Sequence, residues 1–243
     1  MQADLTIIIP AKNEANLLPN LLRSLCKQDY EEMSATRVIV ADAGSTDDTV
    51  MAALSFRDRL PVEVISGGLP SVGRNAGARL TATRFVLFLD ADVELPDPTL
   101  LRRALCRMRR RNLHLATTNI ACSDGAFFDD VLYAGNNFMQ RVGSFTKPFA
   151  TGMFMLFERD AFWALGGFNE QALFAEDYLL SKGVPRLRFG IVRGRVLTTN
   201  RRFRKLGHWT IVRMFVRTMM HSWDDGYFLR DHDYWTESED AGI

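Results

Sequence analysis

The chain has 243 residues, of which 47% are apolar and 24% charged, and its formal net charge is +1. These values are typical of a globular protein and exclude the disordered, collagen-like and disulfide-rich classes. They also give no reason to expect a nucleic acid partner. The three scattered cysteines lack metal-ligand spacing and indicate a reducing compartment. We see no amino-terminal signal peptide and no apolar run long enough to span a bilayer, so we expect a cytoplasmic protein.

Four short apolar runs in the first half of the chain predict β-strands, at residues 5–10, 37–42, 62–65 and 85–89. Helices are predicted between them, at residues 15–26, from Ser45 or Thr46 to about residue 56, and at residues 71–83. The last of these helices is rich in Ala and Gly and should pack closely on the sheet. Strands that alternate with helices predict an α/β fold with a mostly parallel central sheet flanked by helices.

The second half predicts elements in a less regular order. A helix ends near residue 111, a strand covers residues 114–120, and a helix or lid covers residues 123–142. Further elements are an apolar strand at residues 149–157, broken at Thr151-Gly152, and then a helix from Arg159, a short helix after Ala175, and a late strand at residues 192–198. We expect one domain of residues 1–206, followed by a helical extension of residues 207–243.

Acidic residues stand where the predicted strands end or helices begin. Asp42 ends the second strand, and Asp90 and Asp92 follow the fully apolar fourth strand. Glu14 and the pair Glu176-Asp177 lie at helix starts. Because parallel strands bring their carboxyl ends together, most of these acids should converge on one crevice. Crowded carboxylates need a cation, and a divalent ion there would suit a nucleoside diphosphate. The alternative is that they are ordinary turn acids and helix caps.

Five segments in this order resemble the motifs of the family 2 inverting glycosyltransferases, which have the GT-A fold. The opening TIIIPAKNE at residues 6–14 is similar to the start of that family, and VADAGSTDDT at residues 40–49 resembles its second-strand motif. GRNAG at residues 73–77 is similar to its A-R-N-x-G element, with glycine in place of alanine. Asp90-Ala91-Asp92 matches the DXD position, and Glu176-Asp177 matches the pair that carries the catalytic base.

The resemblance implies transfer of one sugar from a nucleotide-sugar donor with inversion at the anomeric carbon. It favours a UDP-sugar, with a GDP-sugar as the alternative, and a divalent metal, Mn²⁺ or Mg²⁺. Residues of about 1–120 would bind the nucleotide and residues of about 121–206 the acceptor. Asp177 would be the general base, with Glu176 as its partner, and Asp92 would bind the metal together with Asp90. The nucleotide-binding positions implied are Pro10, Ala11, Asn13, Glu14, Asp42, Gly44, Ser45, Arg74, Asp90 and Ala91.

A basic run after the late strand provides candidate phosphate ligands at Arg201, Arg202 and Arg204. His208 follows this run and is either a third metal ligand or a structural or acceptor-side residue. The run lacks the Gln-x-x-Arg-Trp signature of the family's processive synthases, so we expect single-sugar transfer rather than polymerisation. The resemblance also suggests a carbohydrate or lipid-linked acceptor, such as one used for cell envelope polysaccharide.

Two rival functions remain open at this point. A sugar nucleotidyltransferase would usually carry a glycine-rich phosphate loop with a lysine after its first strand, where this chain has Ala11-Lys12-Asn13-Glu14. A dehydrogenase is disfavoured because no G-x-G-x-x-G follows a strand. The second rival is a non-catalytic protein of the same fold that binds a nucleotide sugar.

Two helices leave the question of a membrane or protein partner open. The arginines of residues 102–111 form either a solvated face or a surface for anionic lipids. In the predicted helix of residues 208–223, a stripe would pack on the domain, lie at the inner face of the membrane, or pair with a second copy in a homodimer. The residues of that stripe are Trp209, Val212, Phe215, Val216 and Met219.

Overall fold

A computed structural model describes residues 3–221 and 224–229 of the chain. Its centre is a seven-stranded sheet of strand order β3-β2-β1-β4-β6-β5-β7. Strand β6 is antiparallel to both of its neighbours, and the other neighbouring strands are parallel, which confirms the mostly parallel sheet. The strands are β1 Leu5–Ala11, β2 Arg37–Asp42, β3 Val62–Ser66, β4 Phe85–Phe88, β5 Leu115–Cys122, β6 Met155–Glu158 and β7 Phe189–Thr198.

Helices flank this sheet. They are α1 Leu18–Cys26, α2 Thr49–Leu54, α3 Pro70–Arg79, α4 Leu100–Arg111, α5 Phe127–Gly143, α6 Arg159–Ala164, α7 Glu176–Ser181, α8 Arg201–Leu206 and α9 His208–Met220. Short 3₁₀ turns cover Met33–Ala35, Arg186–Arg188 and Asp225–Leu229. Helix α9 corresponds to the helix expected after residue 207, although the predicted end of that helix at Trp223 lies outside the described residues.

The prediction that Ser45 or Thr46 caps α2 was wrong. The helix begins at Thr49, and Asp48 occupies the cap position without a side-chain cap bond. The Ser45 hydroxyl instead donates to Asp42 at 2.5 Å, and the Thr46 amide donates to Asn13 at 2.8 Å. These groups are used to shape the loop after β2, so the helix starts later than its sequence suggests.

The central strands are buried on both faces. Ile7 and Ile9 of β1 belong to one apolar cluster, whereas Ile8 belongs to a second cluster on the opposite face of the sheet. Side chains of a strand alternate between faces, so an apolar run without polar alternation requires cover on both sides. Helices α1 and α4 contribute to the first cluster, and α6 and α7 contribute to the second.

Helix α3 packs closely on the sheet, as its small residues predicted. A Cβ atom at Gly77 would lie 2.7 Å from Cγ2 of Ile8, and one at Gly73 would lie 3.1 Å from Cβ of Ala41. Only glycine allows this approach without displacing the strand. The close contact places the first turns of α3 beside the carboxyl ends of β1 and β2.

Three of the six arginines of α4 form ion pairs with acidic side chains. Arg102, Arg103 and Arg109 form ion pairs with Asp29, Asp97 and Asp4 at 3.0, 2.6 and 3.1 Å. This pairing supports the solvated alternative for these three arginines of the predicted basic face. Among the described residues, no helix is both long and apolar enough to cross a bilayer.

Two residues of the stripe predicted for α9 do not pack on the domain, and one is half-buried. Trp209 is 80% exposed and Val216 is also exposed, whereas Val212 is half-buried. Ile211, Met214 and Thr218 of the same helix face a large cavity. The side chains of Phe215 and Met219, which belong to the predicted stripe, lie outside the described part of the structure.

Candidate active site

A cavity of about 640 Å³ opens at the carboxyl ends of β1, β2 and β4. This is the edge at which open α/β sheets bind their ligands. Its wall combines strand-end loops, the start of α3, the loop before β6, the start of α7, and the inner face of α9. The predicted site residues in this wall are Pro10, Ala11, Glu14, Arg74, Asp90, Ala91, Asp92, Glu176, Asp177 and Arg201.

The loops after β1 and β2 are joined by hydrogen bonds. The Asn13 amide donates to the Ser45 hydroxyl at 2.9 Å, and the Glu14 amide donates to the Thr49 hydroxyl at 2.7 Å. Asn13 has a positive φ of 54°, which asparagine tolerates better than most residues. These bonds hold Glu14 in the cavity wall, while Asn13 and Ser45 themselves are not part of that wall.

Asp42 lies at the rim, where its carboxylate organises the turn that follows β2. It accepts hydrogen bonds from the amides of Gly44 and Ser45 at 3.2 and 3.1 Å. Gly44 has a φ of +75°, which favours glycine at this position. Ala43, which lies between Asp42 and Gly44 in the chain, lines the cavity. Asp42 and Gly44 are thus beside the cavity rather than in its wall.

Arg74 connects two of the acidic motifs on the cavity floor. Its guanidinium is 2.5 Å from Asp90 on one side and 2.5 Å from Glu176 on the other, and it stacks over the Phe168 ring at 5.2 Å. Burial alone would lower the pKa of Arg74, but the carboxylates of Asp90, Glu176 and Asp177 raise it. The guanidinium therefore stays charged and holds the fourth strand end against α7.

Asn75, the neighbour of Arg74, fixes the turn that leads towards α7. Its side chain donates to the Phe168 carbonyl at 2.8 Å and accepts from the Phe168 amide at 3.0 Å. It also donates to Glu170 at 2.9 Å. The Arg-Asn pair on α3 thus holds two separate segments of the second half, one through charge and one through backbone hydrogen bonds.

Asp177 is oriented by two backbone amides. Its Oδ2 accepts from Gly152 at 2.8 Å, and its Oδ1 accepts from Tyr178 at 2.7 Å. A Cβ at Gly152 would overlap the Arg74 guanidinium and lie 2.9 Å from Oδ1 of Asp90. The absence of a side chain at Gly152 therefore allows this loop to reach Asp177 beside the Arg74 ion pairs.

The environment of Asp177 raises its pKa to about 6 from the usual 3.8. Burial is the largest cause, and the negative charge of Glu176 adds to it. The positive charge of Arg74 and the two amide hydrogen bonds act in the opposite direction. A carboxylate with a pKa near 6 is ionised at neutral pH and has a stronger affinity for a proton than an exposed carboxylate.

Glu14, Asp92 and Arg201 form a second charged group in the cavity wall. Arg201 contacts Glu14 at 2.5 and 3.1 Å, and the Thr198 hydroxyl donates to Asp92 at 3.3 Å. Burial raises the pKa of Glu14, Arg201 lowers it, and the charges of Asp92 and Asp90 raise it further. The carboxylates of Asp92 and Asp90 are therefore close enough to Glu14 to repel its negative charge.

The donor set fits a hard divalent cation that shares its coordination with a substrate. Asp92 and Asp90 provide carboxylate oxygens, the ligand type that Mg²⁺ and Mn²⁺ prefer. In the described part of the chain, no group of three or more His, Cys, Asp or Glu side chains is arranged to hold a metal alone. A cation here would therefore need oxygen ligands from a substrate or from water.

The predicted residues His208 and Arg204 are not part of the cavity wall. His208 contacts buried Asp129 at 2.6 Å and stacks on the Phe203 ring at 5.3 Å, which supports its structural alternative. The negative charge of Asp129 is stabilised there, because the hydrogen bond from His208 lowers its pKa against the effect of burial. Arg204 is exposed on α8, and the side chain of Arg202 lies outside the described part of the structure.

Several wall residues were not predicted as site residues. They include Gly152, Phe149, Phe174, Tyr178 and the inner face of α9 at Ile211, Met214 and Thr218. The spacing of the last three, at positions i, i+3 and i+7, does indicate one helix face. It does not indicate whether that face covers a core or a cavity. The Thr151 hydroxyl in this wall is buried without a hydrogen-bond partner among the described residues, so a polar ligand could satisfy it.

The sheet order and the acidic cavity at its strand ends define the GT-A class of glycosyltransferase folds. The Glycosyl transferase family 2 model matches residues 6–166, which is more than half of the chain. The chain therefore belongs to this family.

Curated relatives support the same assignment over a shorter segment. The chain is 32% identical over 99 residues to the poly(ribitol-phosphate) β-N-acetylglucosaminyltransferase TarS of Staphylococcus aureus (strain Mu50). It is 36% identical over 93 residues to the validoxylamine A glucosyltransferase of Streptomyces hygroscopicus subsp. jinggangensis. These matches cover 39% and 37% of this chain but only 17% and 22% of the relatives.

Solved structures share the fold. TarS residues 1–349 in complex with UDP-GlcNAc superpose with a TM-score of 0.66 at 20% identity, over 82% of this chain and 58% of that one. The mannosyltransferase PcManGT from Pyrobaculum calidifontis, in complex with GDP-Man and Mn²⁺, gives a TM-score of 0.65 at 20% identity. This second match covers 90% of this chain and 65% of that one.

Proposed function

We propose that this protein is a glycosyltransferase that moves one sugar from a nucleoside diphosphate sugar to an acceptor hydroxyl and inverts the anomeric carbon. The observation that carries this proposal is the convergence of the DXD segment and the Glu176-Asp177 pair on one cavity through Arg74. A buried arginine that holds both motifs supports one site in which donor and base act together. The donors in the TarS and PcManGT complexes support a nucleotide sugar.

Asp177 is the proposed general base. In a direct displacement, the acceptor oxygen forms a bond to the anomeric carbon as the bond from that carbon to the diphosphate breaks. The diphosphate leaves with the bonding electrons, and the acceptor proton passes to Asp177. The two amides on Asp177 fix its carboxylate, and its raised pKa increases its proton affinity without preventing ionisation at neutral pH.

Arg74 and Glu176 are proposed to position the base rather than take the proton. Glu176 forms an ion pair with Arg74 at 2.5 Å, and the negative charge of Glu176 is one cause of the raised pKa of Asp177. Arg74 also holds Asp90 in place at the donor side. Such pre-organisation keeps the reacting groups in fixed positions before the substrate arrives.

The donor is proposed to bind along the loops after β1, β2 and β4. Pro10, Ala11 and the Asp42 turn would contact the nucleoside, and Asp90-Ala91 would contact the ribose or sugar. Arg201 would offer positive charge to the diphosphate, with Arg202 and Arg204 as further candidates. A divalent cation bound by Asp92 and Asp90 would stabilise the negative charge that develops on the leaving diphosphate. UDP-sugars are favoured and GDP-sugars are the alternative.

The acceptor is proposed to be a carbohydrate or a lipid-linked sugar, with cell envelope polysaccharide as a suitable product. Its side of the cavity combines Asp177 with the apolar side chains of Phe174, Ile211 and Met214. Apolar surface beside a base suits an acceptor that is partly apolar or that presents a sugar face. We keep single-sugar transfer and a cytoplasmic location as parts of this proposal.

Metal-dependent nucleotide binding tests the donor side of the proposal. UDP and GDP would be titrated into the wild type and the Asp92→Ala variant, each with and without Mn²⁺. We expect Mn²⁺ to strengthen binding to the wild type and to have no effect on the variant. Asp130→Ala is a matched control because Asp130 is exposed on α5 and away from the cavity wall. An equal effect of Mn²⁺ on wild type and Asp92→Ala would contradict the assignment of the metal ligand.

A further inference from the structure

Helix α5 is oriented with its apolar face towards solvent. Phe127, Phe138 and Phe145, the last just past the helix end, are 82%, 65% and 73% exposed, and Val131 and Val142 are also exposed. These positions are separated by four, seven, four and three residues, so they form one stripe along about 25 Å of helix. We call them the α5 stripe. A surface helix of a globular domain normally shows the opposite arrangement.

Two polar side chains on the inner face of α5 form hydrogen bonds to β5. Gln140 is fully buried and donates to the Thr117 hydroxyl at 3.4 Å. The Asn137 side chain accepts from the Ile120 amide at 2.9 Å and donates to the Ile120 carbonyl at 2.8 Å. Rotation of the helix to bury its apolar stripe would break these bonds and leave buried polar groups unsatisfied. The stripe is therefore fixed outwards.

An arginine-lined groove lies at the carboxyl end of the stripe. Phe145 and the 83% exposed Leu187 line this groove of about 650 Å³ together with four arginines. No acidic residue lines it, and in residues 3–221 and 224–229 none of the four forms an ion pair with an acidic side chain. We call it the arginine groove, and its arginines are Arg107, Arg141, Arg186 and Arg193.

The amino-terminal end of the stripe continues towards the outer face of α9. The His208 ring contacts the Phe128 ring with a centroid distance of 5.1 Å, and the next residue, Trp209, is 80% exposed. Two neighbouring helices therefore present exposed aromatic side chains near this junction. The exposed acids Asp124 and Asp130 also lie at this end, whereas no acidic residue lines the groove at the other end.

We propose that the α5 stripe and the arginine groove dock the protein on an anionic membrane surface. Exposed aromatic and aliphatic side chains enter the boundary between headgroups and acyl chains, and arginines bind the phosphates of anionic lipids. The groove is lined by four positively charged arginine side chains and by no acidic residue, so its charge is complementary to a negatively charged surface. A second copy of the chain, with a formal net charge of +1, has no overall negative charge to match the groove.

This docking would place the sugar-transfer cavity close to the lipid. Asn136 on the inner side of α5 lines the cavity, whereas the α5 stripe lies on the outer side of the same helix. The two are therefore separated by about one helix diameter, roughly 10 Å. An acceptor held at a membrane surface would be within reach of the cavity. The docking itself does not depend on the proposed function.

Co-sedimentation with vesicles tests the proposal on the full chain. The protein would be mixed with vesicles of phosphatidylcholine alone or of phosphatidylcholine with phosphatidylglycerol, at low and at raised salt. We expect binding to the anionic vesicles that weakens as salt rises, because screening reduces the attraction. Phe138→Ser/Val142→Ser should lower the partition coefficient about tenfold. Arg141→Gln/Arg186→Gln should lower it about thirtyfold.

Matched variants on other surfaces distinguish docking through the α5 stripe and the arginine groove from nonspecific binding to vesicles. Met51→Ser removes an exposed apolar side chain from α2, and Arg57→Gln/Arg59→Gln removes two exposed arginines that follow α2, near the β3 edge of the sheet and away from the groove. Both should bind anionic vesicles as the wild type does, and thermal unfolding should show that all variants are folded. Equal binding to neutral and anionic vesicles, or equal losses in the control variants, would overturn the proposal. A wild-type dimer in sedimentation velocity without lipid, converted to monomer by Phe138→Ser/Val142→Ser, would also overturn it.

Discussion

Replacement of Asp177 by asparagine removes the proposed base while it keeps the shape of the side chain. Both carboxylate oxygens of Asp177 accept an amide hydrogen bond, from Gly152 and from Tyr178. Asparagine offers one oxygen and one NH₂ group, so one of these amides loses its acceptor. The loss of a buried hydrogen bond costs about 1–3 kcal/mol.

A second effect of this substitution stabilises the fold. The rise in the pKa of Asp177 from 3.8 to about 6 corresponds to a cost of about 3 kcal/mol for the buried charge at neutral pH. Because the folded pKa lies above the unfolded one, this group costs stability as the pH rises from about 4 to 6. Asparagine carries no charge and avoids that cost. The two effects largely cancel, so we expect stability within about 2 kcal/mol of the wild type at pH 7.

Turnover should respond far more than stability. We expect Asp177→Asn to release nucleoside diphosphate about 10² to 10⁴ times more slowly than the wild type, with an almost unchanged donor affinity. The wild-type rate should rise with pH and level off above about 6, as Asp177 loses its proton. Asp160→Asn is the control, since Asp160 is exposed on α6. Near-normal turnover of Asp177→Asn would refute the assignment of the base.

Further perturbations test the ion pairs, the loop and the metal. Arg74→Met should lower the free energy of unfolding by about 3–5 kcal/mol in denaturant titrations, because Asp90 and Glu176 lose their shared buried partner. Gly152→Ala should reduce turnover in a steady-state assay, since its Cβ would overlap Arg74, whereas Gly135→Ala should not, because a Cβ there meets nothing within 4 Å. A chelator should abolish nucleoside diphosphate release, and added Mn²⁺ should restore it, if the cation stabilises the leaving group.

The strand positions of the first half could be predicted because burial on both faces produces uninterrupted apolar runs. Residues 37–42 and β2 have the same bounds, and residues 85–89 exceed β4 by one residue. The direction of β6 could not be predicted in the same way. A run such as Met155–Glu158 shows burial but carries no signal for parallel or antiparallel pairing.

The contacts between distant motifs could be predicted only in outline. The sequence indicated that the acids would meet at the strand ends, and Asp90, Asp92, Glu176 and Asp177 do line one cavity. It did not indicate that Arg74 is shared by Asp90 and Glu176, which are 16 and 102 positions away from it in the chain. Such pairing depends on the packing of α3 beside α7, and no local pattern encodes that packing.

The outward face of α5 is a further feature that periodicity alone could not assign. The stripe from Phe127 to Phe145 has helical spacing, and the usual expectation is that such a stripe faces the core. The polar residues Asn137 and Gln140 instead satisfy groups on β5, and they determine which side is buried. The same limit applies to α9, where Trp209 is exposed and Ile211 faces the cavity.

Donor cleavage in the absence of an acceptor tests the central proposal most directly. The protein would be incubated with Mn²⁺ and UDP- or GDP-sugars, and proton NMR would record the anomeric configuration of the first sugar released to water. We predict that at least one donor is cleaved, that the released sugar has the configuration opposite to that of the donor, and that Asp177→Asn loses this activity. A released sugar with the donor's own configuration, or no cleavage of any donor, would contradict the proposed inverting transfer.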